Sequence, residues 1–210
     1  EIGQCFRYEA PQAGRTREFY QFNVDLIGEA EPTADAELIA LTIELMREFG
    51  FKQGDFIIRL SDRGYWQNFA NSKGLDDNQA EALLIIIDKL ERDKDGACGP
   101  KLAKLGLSLE EVREAINSPS ALSQDLQVVL DNLEARGMRD DVAVDLSIVR
   151  GLAYYTGIVF EIFDAQKKKR AVAGGGRYDT LVAALSDGKV DLPAVGFAIG
   201  DVVIRNLIED

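Results

Sequence analysis

The sequence predicts an α+β domain in which a single antiparallel sheet is interrupted along the chain by helices. Residues 1–71 and 140–210 are rich in strand patterns and glycine, whereas residues 72–139 show helical patterns only. Strands on both sides of a helical segment are typical of an α+β fold. We therefore expect the two outer segments to form one sheet domain in two parts, with residues 72–139 as a helical insertion domain.

The first segment contains signals for two strands and a helix. Residues 19–27 alternate apolar and polar side chains, which predicts a half-buried strand, and residues 56–60 predict a short one. Between them the apolar spacing predicts a helix that Thr33 or Asp35 caps and Gly50 ends. The expected apolar stripe of this helix consists of Leu38, Ile39, Thr42, Ile43, Leu45, Met46 and Phe49.

The middle segment contains only helix signals. Residues 78–92 place an apolar block between charged residues, and Ser108 with Glu111 forms a capping box that opens a second helix. A third helix closes at Gly137. Its expected apolar face consists of Leu122, Leu126, Val129, Leu130 and Leu133.

The last segment returns to strands. Strands are predicted at residues 158–164, 171–173 and 193–200, with a hairpin tip at 167–170. A further strand is predicted from the alternate positions of Val142, Val144, Leu146 and Ile148. In that strand Asp145 and Ser147 would share the opposite face.

Composition excludes several kinds of chemistry. The 210 residues contain no histidine, which removes histidine general bases and histidine-containing metal sites. Cys5 and Cys98 are too few for a disulfide framework and fit a reducing, cytoplasmic environment. The net charge of −12 argues against a polyanion binder as a whole. Because no apolar run approaches about 20 residues, we expect no membrane partner.

Three arginines flank a predicted turn near the start of the sequence. Arg7, Arg15 and Arg17 surround a stretch with proline and glycine between two predicted strands. Arginines at such a hairpin can bind phosphate oxygens, and each charge-assisted contact contributes about 1.5–3 kcal/mol. The alternative is a solvated hairpin in which they pair with Glu9 and Glu18.

Arg150 and two tyrosines form a second candidate group. Arg150 follows an apolar strand and precedes a glycine, where a buried arginine is costly unless it meets an anion. Tyr154 and Tyr155 point in opposite directions if the chain is extended, so at most one is expected to face a site. Packing of both rings in the core is the alternative, especially for Tyr154.

Glycines mark a third and a fourth candidate segment. Gly174, Gly175 and Gly176 are expected between a strand and a helix, where backbone can approach a ligand and a helix N-terminus favours anions. A tight turn would explain them equally well. The apolar strand at 193–200 holds two more glycines. The sequence lacks a Gly-Lys-Ser/Thr P-loop and a strand-linked Gly-x-Gly-x-x-Gly, so the usual nucleotide motifs do not apply.

The candidate segments follow the motif order of one protein family. Phe-Arg-x-Glu from position 6, Gly-Arg-x-Arg-Glu-Phe from position 14 and the following Gln21 resemble motif 2 of class II aminoacyl-tRNA synthetases. The Arg-Gly-Leu-Ala-Tyr-Tyr-Thr-Gly segment at 150–157 and the Ala-Gly-Gly-Gly-Arg-Tyr-Asp segment at 173–179 are similar to the two signature segments of histidyl-tRNA synthetases. Gly-Phe-Ala-Ile-Gly at 196–200 resembles the start of motif 3.

The resemblance implies a class II synthetase-like antiparallel sheet of six strands flanked by helices. It implies a catalytic-core fragment that activates histidine with ATP and Mg²⁺ and transfers it to tRNA(His). On the ATP side, Arg7 would hold the α-phosphate, Arg15 would meet the outer phosphates, and Glu9 and Phe19 would contact the adenine. Arg7 and Arg150 would be the catalytic residues.

The same resemblance implies a histidine site. Gln21 would contact the amino group of the substrate, and Arg150 would bridge its carboxylate and the α-phosphate. Asp25 and Tyr155 would bind the two imidazole nitrogens. This fits the chemistry of neutral imidazole, which has one donor and one acceptor nitrogen. Adenylation needs positioning and charge neutralisation but no protein nucleophile, so a chain without histidine can perform it.

The sequence departs from the family pattern in three ways. Motif 1, which forms much of the family's dimer interface, and the C-terminal anticodon-binding domain are absent, so the chain resembles a catalytic-core fragment, and a homodimer is expected for the full-length protein. The family usually continues motif 3 as Gly-x-Glu-Arg, but here Val203 stands at the arginine position and Arg205 lies two places on. This change favours an alternative, a non-catalytic regulatory subunit of ATP phosphoribosyltransferase. In the synthetase, the insertion is expected to contact the acceptor arm of tRNA.

Overall fold

The computed structural model describes residues 1–10, 15–118, 122–150, 154–165 and 171–209. Within them the chain forms seven strands and eight α-helices. In chain order they are β1 (Ile2–Phe6), β2 (Glu18–Ile27), α1 (Pro32–Glu48), β3 (Phe56–Asp62), α2 (Arg63–Ser72), α3 (Asp77–Leu90), α4 (Cys98–Lys104), α5 (Leu109–Asn117), α6 (Gln124–Ala135), β4 (Val142–Val144), β5 (Ile158–Asp164), β6 (Ala173–Arg177), α7 (Leu181–Leu185), β7 (Ala194–Gly200) and α8 (Asp201–Glu209).

All seven strands join one sheet, in the order β1-β2-β7-β6-β5-β3-β4. Its strands come from both outer segments of the chain, and the predicted α+β class is confirmed. The sheet is mixed rather than wholly antiparallel, because β4 pairs with β3 in the parallel direction. The chain enters β4 from α6 and a short 3₁₀ turn rather than from a hairpin, and a parallel pair requires such a crossover.

Helices α1 and α6 cover one face of the sheet and form the main hydrophobic core with it. Helix α1 ends as predicted, with Gly50 just beyond it at a φ of 92°. Its predicted caps are wrong: the N-cap is Glu31, without a side-chain cap bond, and Pro32 opens the helix. Asp35 is buried and accepts hydrogen bonds from Arg177 instead.

Helices α2 to α5 pack around a second hydrophobic cluster that includes Trp66, Leu83 and Leu102. The predicted capping box at the start of α5 is confirmed, with Ser108 and Glu111 bonded to each other's backbone N–H. Helix α6 packs with α1 in the main core, although it lies within the predicted insertion. The division at 72–139 remains a prediction, and the packing of α6 favours an earlier end.

Two sequence predictions about strands are wrong. The strand predicted through Ile148 ends at Val144, and beyond it Leu146 packs into the helical cluster while Asp145 bonds Arg59. The glycines at 174–176 lie inside β6 and not in a loop before a helix. The predicted hairpin tip at 167–170 lies outside the described residues. No helix among the described residues is long and apolar enough to span a membrane.

Candidate active site

The face of the sheet that α1 leaves uncovered has a floor of very small residues. Gly174 in β6 lies opposite Ala198 in β7, and Gly196 lies two positions before Ala198 on the same face of the sheet. A Cβ on Gly174 would collide with the Arg150 guanidinium, and one on Gly196 would collide with Asp25. Glycine is therefore needed here because charged side chains approach the backbone closely.

A polar cleft opens above Gly174 and Ala198, and its volume of about 700 Å³ is within the usual size range of small-ligand sites. It brings together Arg7, Arg15, Phe19, Gln21 and Arg150, all predicted as site residues. The alternation of β2 explains part of this grouping, since Phe19 and Gln21 share the face opposite to the core residue Phe22. The charged and polar lining that the sequence did not predict consists of Thr16, Asp88, Glu91, Arg92, Ser147 and Glu161.

The arginines of the first hairpin are held by neighbours within that hairpin. The Arg7 guanidinium carbon lies 3.7 Å from the centroid of the Phe19 ring, which is a cation–π contact. Arg15 pairs with Glu9, with 2.6 Å between Nη2 and Oε1. Arg17 donates to the Glu9 carbonyl and is not part of the cleft lining. The alternative of a Glu9 ion pair thus holds for Arg15, yet Arg15 still lines the cleft.

Arg150 has a strained backbone and pairs with an acidic residue. Its φ is 45°, which is uncommon outside glycine, and its Nη1 lies 2.8 Å from Oε1 of Glu161. Burial raises the pKa of Glu161, and the charge of Arg150 opposes that rise. Nε of Arg150 and Nε of Arg7 are buried and have no hydrogen-bond partner among the described residues. Buried unpaired N–H groups of this kind suit an incoming anion.

The predicted imidazole ligands Asp25 and Tyr155 do not line the 700 Å³ cleft. Asp25 accepts a hydrogen bond from the hydroxyl of Tyr178, a residue of the glycine segment that was not predicted as a site residue. Tyr155 is buried, and its ring packs against Tyr154 and Tyr178. Burial is the largest cause of a raised pKa at Tyr178, and the bond to Asp25 raises the pKa further. Its hydroxyl therefore stays a neutral donor at physiological pH.

Two features could have revealed the residues that the prediction missed. Tyr178 stands in the same glycine segment as Gly174, four residues further along the chain. Ser147 was expected on the polar face of a strand, but it reaches the cleft from the chain beyond β4. Asp88, Glu91 and Arg92 carry no local signal of a site, because only tertiary packing brings α3 to the cleft.

An apolar residue occupies the position of the family's motif 3 arginine in this cleft. Val203 and Val202 line it from the start of α8. Arg205 lies two residues after Val203, pairs with Glu209 at 2.9 Å and borders a separate, apolar cavity. Arg205 is therefore not positioned to supply charge to the cleft. Among the described residues, no three carboxylate or thiol groups cluster closely enough to hold a metal ion alone.

The fold is that of a class II aminoacyl-tRNA synthetase. The structure resembles histidyl-tRNA synthetase from Nostoc sp. PCC 7120, with a TM-score of 0.81 and 24% identity over 99% of this chain and 53% of that one. It also resembles an ATP phosphoribosyltransferase regulatory subunit/histidyl-tRNA synthetase from Bacillus halodurans, with a TM-score of 0.78, 24% identity, and coverage of 99% and 56%.

The sequence comparisons narrow the class to one family. A family model described as histidyl-tRNA synthetase matches residues 2–200. Histidine--tRNA ligase from Opitutus terrae is 42% identical over 99% of this chain and 52% of its own length. The chloroplastic/mitochondrial histidine--tRNA ligase from Arabidopsis thaliana is 37% identical over 100% and 46%. The chain belongs to the histidyl-tRNA synthetase family, and it spans about half the length of the curated relatives it matches.

Proposed function

We propose that this chain is the catalytic core of an enzyme that activates histidine with ATP and transfers it to tRNA(His). The observation that carries the proposal is the grouping of Arg7, Arg15 and Arg150 in one cleft above a glycine floor. The names of the curated relatives support the same activity. Three guanidinium groups around one cleft suit a substrate with several phosphates.

The proposed reaction is attack of the histidine carboxylate on the α-phosphorus of ATP, with pyrophosphate as the leaving group. Negative charge that develops around the α-phosphate would be balanced by Arg7 and Arg150. The buried, unpaired Nε atoms of these two residues support that role. Arg15 would release Glu9 and bind the outer phosphates. Gln21 would orient the substrate amino group.

In the proposed nucleotide site, the adenine would stack on Phe19 and meet Glu9 at its edge. Arg7 covers one face of the Phe19 ring, which leaves the other face for the base. Mg²⁺ would be held mainly by the phosphates, because it binds proteins through one or two carboxylates together with substrate oxygens. Bound there, it would neutralise phosphate charge.

In the proposed histidine site, Asp25 and Tyr155 would bind the imidazole nitrogens. Tyr178 would act through Asp25, because its hydroxyl donates to the Asp25 carboxylate. That bond would orient Asp25 to accept from an imidazole N–H. The helical segment would contact the tRNA acceptor arm, and the full-length protein would act as a cytoplasmic homodimer.

A specific observation also supports a second function. Val203 leaves the motif 3 position of the cleft apolar, and the similar Bacillus halodurans structure is described in part as an ATP phosphoribosyltransferase regulatory subunit. A subunit that binds histidine without activating it would not need that arginine. The arginines that remain in the cleft favour the enzyme.

Histidine-dependent exchange between ATP and pyrophosphate by the full-length protein tests the proposal. We expect exchange with histidine, and we expect Arg150→Ala to abolish single-turnover adenylate formation with little change in the thermal midpoint. An absence of exchange, together with formation of a complex with ATP phosphoribosyltransferase, would contradict the enzyme and support the regulatory subunit.

A further inference from the structure

The end of helix α3 forms part of the wall of the cleft. Asp88 in its last turn, and Glu91 and Arg92 just beyond it, belong to the cleft lining together with Arg150 and its partner Glu161. The charges of Asp88 and Arg92 reach Glu161, where the first raises and the second lowers its pKa. The helical segment thus brings a cation to the same region of the cleft as Arg150.

This wall is anchored to the sheet by a buried arginine on β3. Arg59 contacts the Glu91 carboxylate with both terminal nitrogens, each at 3.4 Å, and it also pairs with Asp145. The Arg59 side chain is only 7% exposed, and its guanidinium lies over the ring of Phe163. Residue 92 follows this anchor directly, so the contact between Arg59 and Glu91 holds its backbone near the sheet.

The guanidinium of Arg92 is free to change partner. It contacts Asp88 four residues earlier at 3.3 Å and donates to the Asp88 carbonyl at 3.1 Å. The side chain is 76% exposed, and ion pairs this exposed contribute little to stability. A phosphate that enters the cleft carries more charge than one carboxylate and would compete successfully for the guanidinium.

We propose that Arg92 binds the triphosphate of ATP in this cleft. The inference rests on the proposed function, because it takes ATP as the occupant of the cleft. Arg92 supplies positive charge from the helical segment, in a cleft where Val203 is apolar and Arg205 lies elsewhere. The helical segment then takes part in the activation step, in addition to any contact with tRNA.

The chain offers a closely matched control for Arg92. Arg205 is also 76% exposed and is also paired with an acid four residues away, but it borders the apolar cavity instead of the cleft. Removing either guanidinium therefore removes one exposed charge and one surface ion pair. Only the location relative to the cleft differs.

The test compares Arg92→Gln, Arg92→Lys and Arg205→Gln in the full-length protein without tRNA. Titration with ATP and with adenosine separates binding of phosphate from binding of the base. We expect Arg92→Gln to weaken ATP binding about tenfold and to leave adenosine binding unchanged, because one charge-assisted contact is lost. Arg92→Lys should recover part of the loss, and Arg205→Gln should resemble the unaltered protein.

Three results would overturn the inference: equal effects of Arg92→Gln and Arg205→Gln, an equal loss of adenosine binding, or normal ATP binding by Arg92→Gln. The unaltered protein separates this inference from the proposed function. ATP binding without pyrophosphate exchange would contradict the proposed function alone. Exchange with normal ATP binding by Arg92→Gln would contradict the inference alone, and no ATP binding at all would contradict both.

Discussion

At the scale of single residues, the cleft depends on glycines at positions where a side chain would collide with its neighbours. Gly174 and Gly175 are neighbours in β6, but their missing Cβ atoms would point to opposite faces of the sheet. On Gly174 a Cβ would meet the guanidinium of Arg150, and on Gly175 it would meet the Gly196 carbonyl and Phe197. The first obstacle can move and the second cannot, because the first is the end of a flexible side chain.

We therefore expect Gly174→Ala and Gly175→Ala to fail in different ways. Gly174→Ala should lower adenylate formation strongly and change stability little, since Arg150 is displaced from Glu161 while the sheet remains intact. Gly175→Ala should lower the free energy of unfolding by about 1–3 kcal/mol, as overpacking of a core does. Urea denaturation and single-turnover kinetics on both variants check this. Equal losses of stability would contradict it.

At the scale of elements, the helical segment is held together by side chains at helix ends. Glu111 closes the capping box of α5 and also accepts from Lys73, the residue just after α2, at 2.8 Å. These bonds lower the pKa of Glu111 to about 2, with the Lys73 bond as the largest cause. One carboxylate thus joins two helices through a contact between residues that are 38 positions apart in sequence.

This geometry predicts a defined pH dependence for Glu111→Gln. Because the pKa of Glu111 is lower in the folded state, its contribution is fully present above the ordinary value of 4.5 and disappears as the pH falls towards 2. The variant should have a lower thermal midpoint at pH 7, and the difference should shrink through that window. Glu110→Gln, in the same first turn, is the control. A difference independent of pH would refute the assignment.

At the scale of the whole molecule, the two largest hydrophobic cores among the described residues do not follow the order of the sequence. The helical cluster contains Leu102, while α6 places Leu133 in the main core beneath the sheet, and both residues are fully buried. The predicted boundaries of the insertion at residues 72–139 therefore differ from the boundaries between the two cores. Deletion of residues 72–139 would remove α3 to α5 from the helical cluster. It would also remove α6 from the main core.

Matched core truncations distinguish the two cores. Leu133→Ala and Leu102→Ala should each cost about 2–5 kcal/mol. Leu133→Ala should reduce hydrogen-exchange protection in α1 and the central strands, whereas Leu102→Ala should reduce it mainly in α2 to α5. Protection lost equally in both regions by either variant would mean that the two cores unfold as one unit.

The features that could be predicted from the amino-acid sequence are those that depend on neighbours along the chain. The alternation of β2, the capping box of α5 and the end of α1 at Gly50 all follow from periodicity and local hydrogen bonding. The order of motifs also indicated the family. Two other contacts are visible in the folded protein alone. Tyr178 donates a hydrogen bond to Asp25, 153 positions away, and the contact between Glu91 and Arg59 brings α3 to the cleft. Such contacts depend on how distant elements pack, and no local preference of the chain encodes them.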